Sequence, residues 1–473
     1  MMSSDLVQLT LTDVADAIRK KSVSSVEVTQ AVLAWIDQVQ PTLNCFISLA
    51  REDALAAARN ADAVLARGTP VGPLHGVPLA HKDMFYREGE ISTCGSRILR
   101  DTRQAVTATV VRKLESAGAI WLGGLNMGEF ASEPTGGNAH FGRCRNPWGL
   151  DYVTGGSSSG SASAVSARAC YASLGSDTGG SIRTPAAICG VVGLKPTNGR
   201  VSTFGAMPRA WSHDCIGPLA RTVRDCAKVL TAIAGPDPKD PRCADIPSAD
   251  YEQSLNGDLK GLRVGVPDNY FYEGTTADVQ GALDESLEVL ESLGARLVPI
   301  GVPDPQRVLT LSITMTECES SAFHAEWMRT RPQDYSAGVR GRFEPGLDIP
   351  AVRYIEAQNE RPRLREEFMA EVFQRVDVVH TPVLSIPVPT IAEMETAAKL
   401  QELIPFFTRN TRTPSYLGFP ALTVPAGFSK NAMPIGFQVF ARPYAESVLL
   451  RVGAAYQQAT DWHEQRPPPR GIE

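Results

Sequence analysis

Residues 1–70 carry a helical pattern of apolar positions. Ser24 and Glu27 have the spacing of a capping box, in which both side chains bond to backbone N–H groups at a helix start. Apolar residues then recur every three or four positions, and we predict a helix that ends at Pro41 because proline interrupts helical hydrogen bonding. An alanine-rich stretch from Glu52 to Arg67 predicts a second helix. The apolar positions of the first helix are Val28, Val32, Trp35, Ile36 and Val39.

Beyond Pro73 the pattern changes to short apolar runs typical of strands, with helical segments between them. This alternation predicts an α/β fold with a parallel or mixed sheet that is covered by helices on both faces. The strand-like runs are Val77 to Ala80, Ile120 to Leu122, Tyr171 to Leu174, Leu262 to Val266, Val376 to Val379, Leu422 to Val424 and Ile435 to Phe440. The helical segments are Thr107 to Ser116, Thr222 to Ile233, Val279 to Leu293 and Ala445 to Gln458.

Composition narrows the class of protein. Of 473 residues, 43% are hydrophobic and 21% are charged, as in an ordinary globular protein. The formal net charge of −6 and the lack of a Lys/Arg run disfavour nucleic acid as a direct partner. No uninterrupted apolar run reaches about 18 residues, so we expect no membrane span. The nine cysteines include no C-x-x-C pair, which is typical of reduced thiols in the cytoplasm.

Two stretches rich in glycine and serine, Gly155 to Ser161 and Gly175 to Ser181, point to chemistry. Gly179 and Gly180 have no Cβ, so the backbone there can take unusual angles and direct N–H groups at a ligand. A turn of this kind that ends in a serine places a nucleophile beside donors for a developing oxyanion. The sequence therefore predicts an acyl-transfer enzyme.

These stretches resemble the signature of a known family. The segment GSDTGGSIRTPAAICGVVGLKP, residues 175–196, and the segment GVPLAHKD, residues 76–83, resemble motifs of the amidase signature family of serine hydrolases. The resemblance implies a catalytic triad of Lys82, Ser157 and Ser181, in which Ser157 follows a cis peptide bond and Ser181 is the nucleophile. The separations of 75 and 24 residues agree with the family pattern. The likeness extends over nearly the whole chain.

Within this triad Lys82 must act as a base, which requires its uncharged form. Burial disfavours a charged ammonium, and the apolar residues that precede Lys82 favour burial. Ser157 is then expected to pass a proton from Ser181 to Lys82, and the relay runs in reverse to protonate the departing nitrogen.

The resemblance also implies the surroundings of the triad. Ser158, Asp177 and Arg183 are expected to support the site, with Asp177 and Arg183 bracing the turn as an ion pair. Neither a metal ion nor an organic cofactor is implied. The backbone N–H groups expected to bind the oxyanion are those of Thr178, Gly179, Gly180 and Ser181.

The family's fold is a large central mixed sheet of about 11 strands with helices on both faces. We therefore expect a single domain over residues 1–473. Its parts are N-terminal helices (1–70), a catalytic core with the signature motif (71–235), and the rest of the sheet with helices at the substrate entrance (236–473). Three segments, 127–134, 204–212 and 327–354, are expected to shape the pocket, where Glu133 and Arg209 are candidates for charge selection.

A second interpretation of the same serines, called the elbow reading below, assigns a different nucleophile. Gly156 to Gly160 also fits G-x-S-x-G, the nucleophile elbow of α/β-hydrolases, in which Ser158 is the nucleophile and needs a downstream acid and histidine. An inactive binding protein would be favoured only if Lys82 or either serine of the triad were missing. The histidines available to an elbow serine are His213, His324, His380 and His463.

Two activities compete within the family. The first is a stand-alone amidohydrolase that cleaves carboxylic amides, and also aryl amides, esters or carbamates. The alternative is the glutaminase subunit of a tRNA-dependent amidotransferase, which resembles this chain equally in the segments around Lys82 and Cys94. The resemblance implies that the family's glutaminases hold the amino group of glutamine with an aspartate near the segment that corresponds to Phe407 to Gly418. This segment has no carboxylate here, which disfavours the alternative. The expected partners are thus a small amide substrate, no nucleic acid directly, and a second copy in a homodimer.

Overall fold

The computed structural model describes residues 3–468. In this part of the chain the strands are β1 (Pro78–Lys82), β2 (Ile120–Leu125), β3 (Ala172–Asp177), β4 (Val192–Lys195), β5 (Cys215–Ala220), β6 (Arg263–Pro267), β7 (Arg296–Ile300), β8 (Val378–Pro382), β9 (Ala421–Phe428) and β10 (Pro434–Ala441). All seven predicted strands coincide with observed ones to within a few residues. β4, β5 and β7 were not predicted.

The α-helices are α1 (Ser3–Leu6), α2 (Leu11–Arg19), α3 (Ser25–Leu43), α4 (Arg51–Ala66), α5 (Thr109–Ser116), α6 (Ser159–Ser166), α7 (Arg183–Ile188), α8 (Val223–Ile233), α9 (Ala277–Ser292), α10 (Pro305–Thr330), α11 (Ala337–Leu347), α12 (Ala351–Glu371), α13 (Ile391–Glu395), α14 (Ala397–Leu403), α15 (Arg409–Leu417) and α16 (Glu446–Ala459). Short 3₁₀ turns lie at Arg97–Leu99, Glu129–Ala131, Tyr251–Ser254, Pro332–Asp334 and Ile404–Phe407.

The main sheet has eight strands in the order β3-β5-β4-β9-β10-β8-β6-β7. From β3 to β8 each neighbouring pair is antiparallel, whereas β8, β6 and β7 run parallel. Helices cover both faces. Adjacent residues of a strand point to opposite faces; Leu422 of β9 lies against Gly453 of α16, while Gly193, the sheet partner of Thr423, lies against Ala186 of α7. The predicted α/β fold with a covered mixed sheet is confirmed.

The number of strands differs from the expected single sheet of about 11. Residues 3–468 contain ten, and β1 pairs in parallel only with β2 in a separate two-stranded sheet. Between β1 and β3 a side chain replaces a backbone bond, because the Leu174 N–H donates to Nδ1 of His81 at 3.2 Å. Burial lowers the pKa of His81 to about 3, so this ring is neutral and Nδ1 can accept.

The capping box of Ser24 and Glu27 is present at the start of α3. The predicted end of this helix at Pro41 is wrong, since α3 continues to Leu43. Pro41 lies in the last turn, and Asn44 still donates its N–H to the Gln40 carbonyl at 2.9 Å. The helix ends at Asn44, whose φ of 48° is left-handed.

Element ends determine where the functional side chains lie. Lys82 is the last residue of β1, and Asp177 is the last residue of β3. α6 starts just after Ser158, and α7 starts two residues after Ser181. The ends of two neighbouring strands and the starts of two helices therefore meet at one place. The division into a single domain stays a prediction.

Candidate active site

Lys82 lies inside the protein with only 1% of its surface exposed. Its Nζ donates hydrogen bonds to Ser157 Oγ at 2.7 Å and to Ser176 Oγ at 2.8 Å. Burial lowers the pKa of Lys82 to about 7, against the opposite pull of the Asp214 and Asp177 carboxylates. Near neutral pH this side chain can therefore exist as the free amine that a proton relay needs.

The stretch that holds Ser157 is tied to its surroundings by backbone bonds. The Gly156–Ser157 peptide bond is cis, and the Ser157 carbonyl accepts the Gly128 N–H at 3.0 Å. The Ser158 N–H donates to the Ser181 carbonyl at 3.3 Å. The two glycine–serine stretches are thus in direct contact, and each supplies one hydroxyl to Lys82.

Asp177 organises the turn that carries Ser181. Its Oδ1 accepts the Gly180 N–H at 2.8 Å, and its Oδ2 accepts the Ile182 N–H at 3.2 Å. On the other side of the turn, the Thr411 hydroxyl donates to the Gly179 carbonyl at 2.6 Å. The orientation of these peptide groups is therefore set from both sides.

This turn bears on the predicted oxyanion hole. Gly180 donates its N–H to Asp177 and not toward the cavity. The N–H groups of Thr178, Gly179 and Ser181 make no hydrogen bond to any other residue in the range 3–468. These three N–H groups are therefore available to an oxyanion, and that role stays a prediction. The Gly180 N–H is not available, because it is used within the turn.

Asp177 and Arg183 form a fully buried ion pair. Nη2 of Arg183 lies 2.9 Å from Oδ1, and Nε lies 2.9 Å from Oδ2. Arg183 also donates to Gln438 and Ser415. Burial alone would raise the pKa of Asp177, but the Arg183 charge and several donors outweigh it and bring the pKa to about 2.

Ser181 is partly exposed and lines a cavity. All three segments expected to shape the pocket contribute to its wall, including Glu133 and Arg209. Arg342 and Arg412 also line it, although no motif in the sequence marks either residue. A larger cavity of about 450 Å³ adjoins it and shares Glu133 and Arg342.

Sequence reasoning missed Ser176, the second hydroxyl in contact with Lys82. It lies in the quoted Gly175 to Ser181 stretch, but no motif position marks it. One signal was available in the sequence. Adjacent residues of a strand point to opposite faces, so Ser176 and Asp177 at the end of the buried strand β3 place polar groups on both sides of it.

The elbow reading, with Ser158 as nucleophile, finds no catalytic partner among residues 3–468. Ser158 is fully buried, and its hydroxyl bonds to the backbone of Ser176 at 3.3 Å. Within the same range, none of the four candidate histidines hydrogen-bonds to it. His213, His324 and His380 bond instead to Ser212, Tyr335 and Tyr272, respectively.

A buried lysine bonded to a serine, beside a glycine turn that ends in a partly exposed serine, is an arrangement that can support acyl transfer. The sequence model of the amidase family matches residues 27–450. The chain therefore belongs to the amidase signature family.

Three similar proteins illustrate the range of the family. The chain is 39% identical to a glutamyl-tRNA(Gln) amidotransferase subunit of Geobacter metallireducens, over 98% of this chain and 99% of that protein. Two solved structures each superpose with a TM-score of 0.89. One belongs to "an unexpected vestigial protein complex" that "reveals the evolutionary origins of an s-triazine catabolic enzyme", at 34% identity over 95% of this chain and 98% of that chain. The other is a 6-aminohexanoate cyclic dimer hydrolase with its substrate, at 26% identity over 99% and 100%.

The comparison corrects one expectation. We expected a small amide as the partner, and at most a second copy of the chain. The relative from Geobacter metallireducens matches along its full length and is by name one subunit of a larger enzyme. The expectation of a chain that acts without a partner protein is therefore wrong. Separately, none of the helices within residues 3–468 has the length and apolar character needed to cross a membrane.

Proposed function

We propose that this chain hydrolyses a carboxamide through an acyl-enzyme on Ser181 and works as the catalytic subunit of a larger assembly. The observation that carries the proposal is the 2.7 Å contact between Lys82 Nζ and Ser157 Oγ in a buried pocket beside the Ser181 turn. The relative whose name makes it part of an amidotransferase supports the assembly. Nine free thiols fit a reducing compartment such as the cytoplasm.

In the acylation step the Ser181 oxygen attacks the amide carbonyl carbon. Its proton goes to Ser157, whose own proton goes to the neutral Lys82 amine. The carbonyl oxygen becomes an oxyanion, which the free N–H groups of Thr178, Gly179 and Ser181 stabilise. Removal of one such donor typically costs an enzyme about 3–4 kcal/mol of transition-state stabilisation.

Collapse of the tetrahedral intermediate breaks the C–N bond. Protons travel back from Lys82 through Ser157 to the departing nitrogen, so a primary amide leaves as ammonia. Water then attacks the acyl-enzyme by the same relay, which releases the carboxylic acid and restores the Ser181 hydroxyl.

Two kinds of substrate are candidates for this reaction. Glutamine is favoured by the name of the relative from Geobacter metallireducens. Another carboxylic amide, an aryl amide, an ester or a carbamate is favoured by the segment Phe407 to Gly418. That segment holds Arg409 and Arg412 but no carboxylate to pair with the amino group of glutamine.

A trapping experiment tests the proposed chemistry. The purified chain is treated with a fluorophosphonate, and the modified residue is located by mass spectrometry. We expect the adduct on Ser181 and none on a Ser181→Ala variant. An adduct on Ser158 would contradict the proposal and restore the elbow reading.

Assays of ammonia and aniline release then separate the substrates. Ammonia release from glutamine is measured for the chain alone and for the chain with the other subunits of a tRNA-dependent amidotransferase. Strong stimulation by those subunits would identify the glutaminase function. Turnover of an anilide with no response to those subunits would favour the second candidate.

A further inference from the structure

Three guanidinium groups line the cavity beside Ser181. They belong to Arg209, Arg342 and Arg412, which lie far apart in the sequence. Arg342 makes no hydrogen bond or ion pair with any residue between 3 and 468, although Arg340 on the same helix pairs with Glu344 at 3.0 Å. Its guanidinium group therefore forms no close ion pair with a carboxylate in this part of the protein, although Glu317 is near enough to feel its charge.

Within residues 3–468 the side chains of Arg209 and Arg412 donate hydrogen bonds only to neutral groups. Both donate to Thr316, Arg209 to its carbonyl at 3.2 Å and Arg412 to its hydroxyl at 3.0 Å. Nε of Arg412 is buried without an acceptor. Burial and then the neighbouring Arg412 charge lower the pKa of Arg209 to about 9, and burial lowers that of Arg412 to about 10. The three guanidinium groups therefore lie close together, and some of their N–H groups have no acceptor among residues 3–468.

Glu133, the acidic side chain in the described wall of the cavity, is already bonded. Glu133 accepts the N–H groups of Thr135 and Gly136. Asp214 accepts the Thr178 hydroxyl at 2.5 Å and two backbone N–H groups, those of residues 209 and 210. Glu317 feels all three arginines, but it does not line the cavity, and burial raises its pKa despite their charges. The described cavity wall thus offers unfilled cationic donors and no unfilled carboxylate.

Resting on the proposed function, we propose that the amide substrate of this site ends in a carboxylate and carries no amino group beside it. A carboxylate accepts bonds from guanidinium groups in a planar, two-pronged geometry and would satisfy the unfilled donors. An ammonium in the same place would face like charges without an acceptor. The substrate class is therefore a short monoamide of a dicarboxylic acid, which the reaction converts to the dicarboxylate and ammonia.

Three amides of similar shape test this specificity. Glutaramate has the carboxylate and no amino group, glutamine has both, and glutaramide is uncharged. Ammonia release should give the highest kcat/KM for glutaramate, with about a tenfold or greater advantage over glutaramide from one charge-assisted contact. Glutaramide turned over as fast as glutaramate would overturn the proposal, and so would a clear preference for glutamine over glutaramate.

The variant Arg342→Gln identifies the residue responsible, because it removes a charge without breaking any bond within residues 3–468. It should raise KM for glutaramate about tenfold or more and leave glutaramide turnover unchanged. Arg340→Gln on the same helix is the matched control, and it should leave both substrates unaffected. Equal losses of both substrates in Arg342→Gln would contradict the proposal.

A binding measurement separates this proposal from the proposed function. Calorimetry on the Ser181→Ala protein should detect binding of glutarate, the dicarboxylate product, and Arg342→Gln in that background should weaken the binding about tenfold. Glutarate binding that depends on Arg342, without any amide turnover, would support the carboxylate site and contradict the proposed hydrolase. Amide turnover without glutarate binding would support the hydrolase and contradict the carboxylate site. Glutarate binding that Arg342→Gln leaves unchanged would also contradict the carboxylate site.

Discussion

Lys82 Nζ donates a hydrogen bond of 2.8 Å to Ser176 Oγ, one residue before the Asp177 that holds the Ser181 turn. The end of β3 therefore contacts the proposed base through one residue and organises the nucleophile turn through the next. A displacement of this strand end would disturb both parts of the site at once.

Ser176→Ala should lower kcat about tenfold with little change in KM, because it removes one of two hydroxyls that orient Lys82. A hydroxyl that accepts from the ammonium favours the charged form, so its loss should also lower the pKa of Lys82. The measurement is the pH dependence of kcat/KM for amide hydrolysis, whose rising limb should move to lower pH. Ser173→Ala is the control, since Ser173 is equally buried on β3 but bonds to the Leu174 carbonyl.

The activity of the native protein should rise with pH and level off. The relay needs the neutral amine, and the pKa of Lys82 is about 7. Below that pH, kcat/KM should fall about tenfold for each pH unit as the amine is protonated.

Lys82→Ala should lose about 100- to 10,000-fold in rate, and Lys82→Arg should not recover it because a guanidinium stays protonated. A flat profile between about pH 5.5 and 8, a range that spans this pKa, would argue against Lys82 as the base.

Local patterns were sufficient for much of the fold. Strands with continuous apolar runs, such as β10, were predicted because their side chains are buried on both faces. β5 was missed because Gly217 and Pro218 interrupt its apolar run, and both residues weaken a strand prediction. The helix end predicted at Pro41 was wrong because a proline in the last turn of a helix removes few hydrogen bonds, so α3 continues past it.

In the site, too, the residues within contiguous motifs could be predicted from sequence, and those brought in from distant parts of the chain could not. The triad and its turn lie in contiguous motifs, so Lys82, Ser157 and Ser181 could be named from sequence. Arg342 and Arg412 reach the cavity from helices far along the chain, and only the packing of α11 and α15 brings them there. Spacing along the chain carries no signal for such a pair.

Gly180→Ala should abolish activity because the residue has no room for a side chain. Its φ is 134°, and a Cβ would lie 2.4 Å from the Thr411 hydroxyl and 2.9 Å from that of Thr184. The displaced turn would misplace the oxyanion donors, which typically costs about 100-fold or more in kcat. The measurement is the acylation burst with an activated ester. Gly341→Ala is the control, because nothing lies within 4 Å of the position its Cβ would take and its φ is not left-handed; a normal burst in Gly180→Ala would contradict the account of the turn.

Asp177→Asn should lower the free energy of unfolding by about 3–5 kcal/mol, because it leaves the fully buried Arg183 charge without its carboxylate. The folded-state pKa of Asp177, about 2, is below its ordinary value. The stabilisation from this ionisation is thus complete above about pH 4 and is lost as the pH falls through about 2. Urea unfolding at about pH 7 therefore measures the whole effect.

An exposed pair provides the comparison for this last experiment. Lys399 and Glu402 lie 2.8 Å apart with both side chains about half exposed, so Glu402→Gln should change the unfolding free energy by less than about 1 kcal/mol. Equal effects of Asp177→Asn and Glu402→Gln would mean that the buried pair does not hold the turn. A large loss of stability together with a loss of Ser181 acylation would tie the ion pair to both the fold and the site.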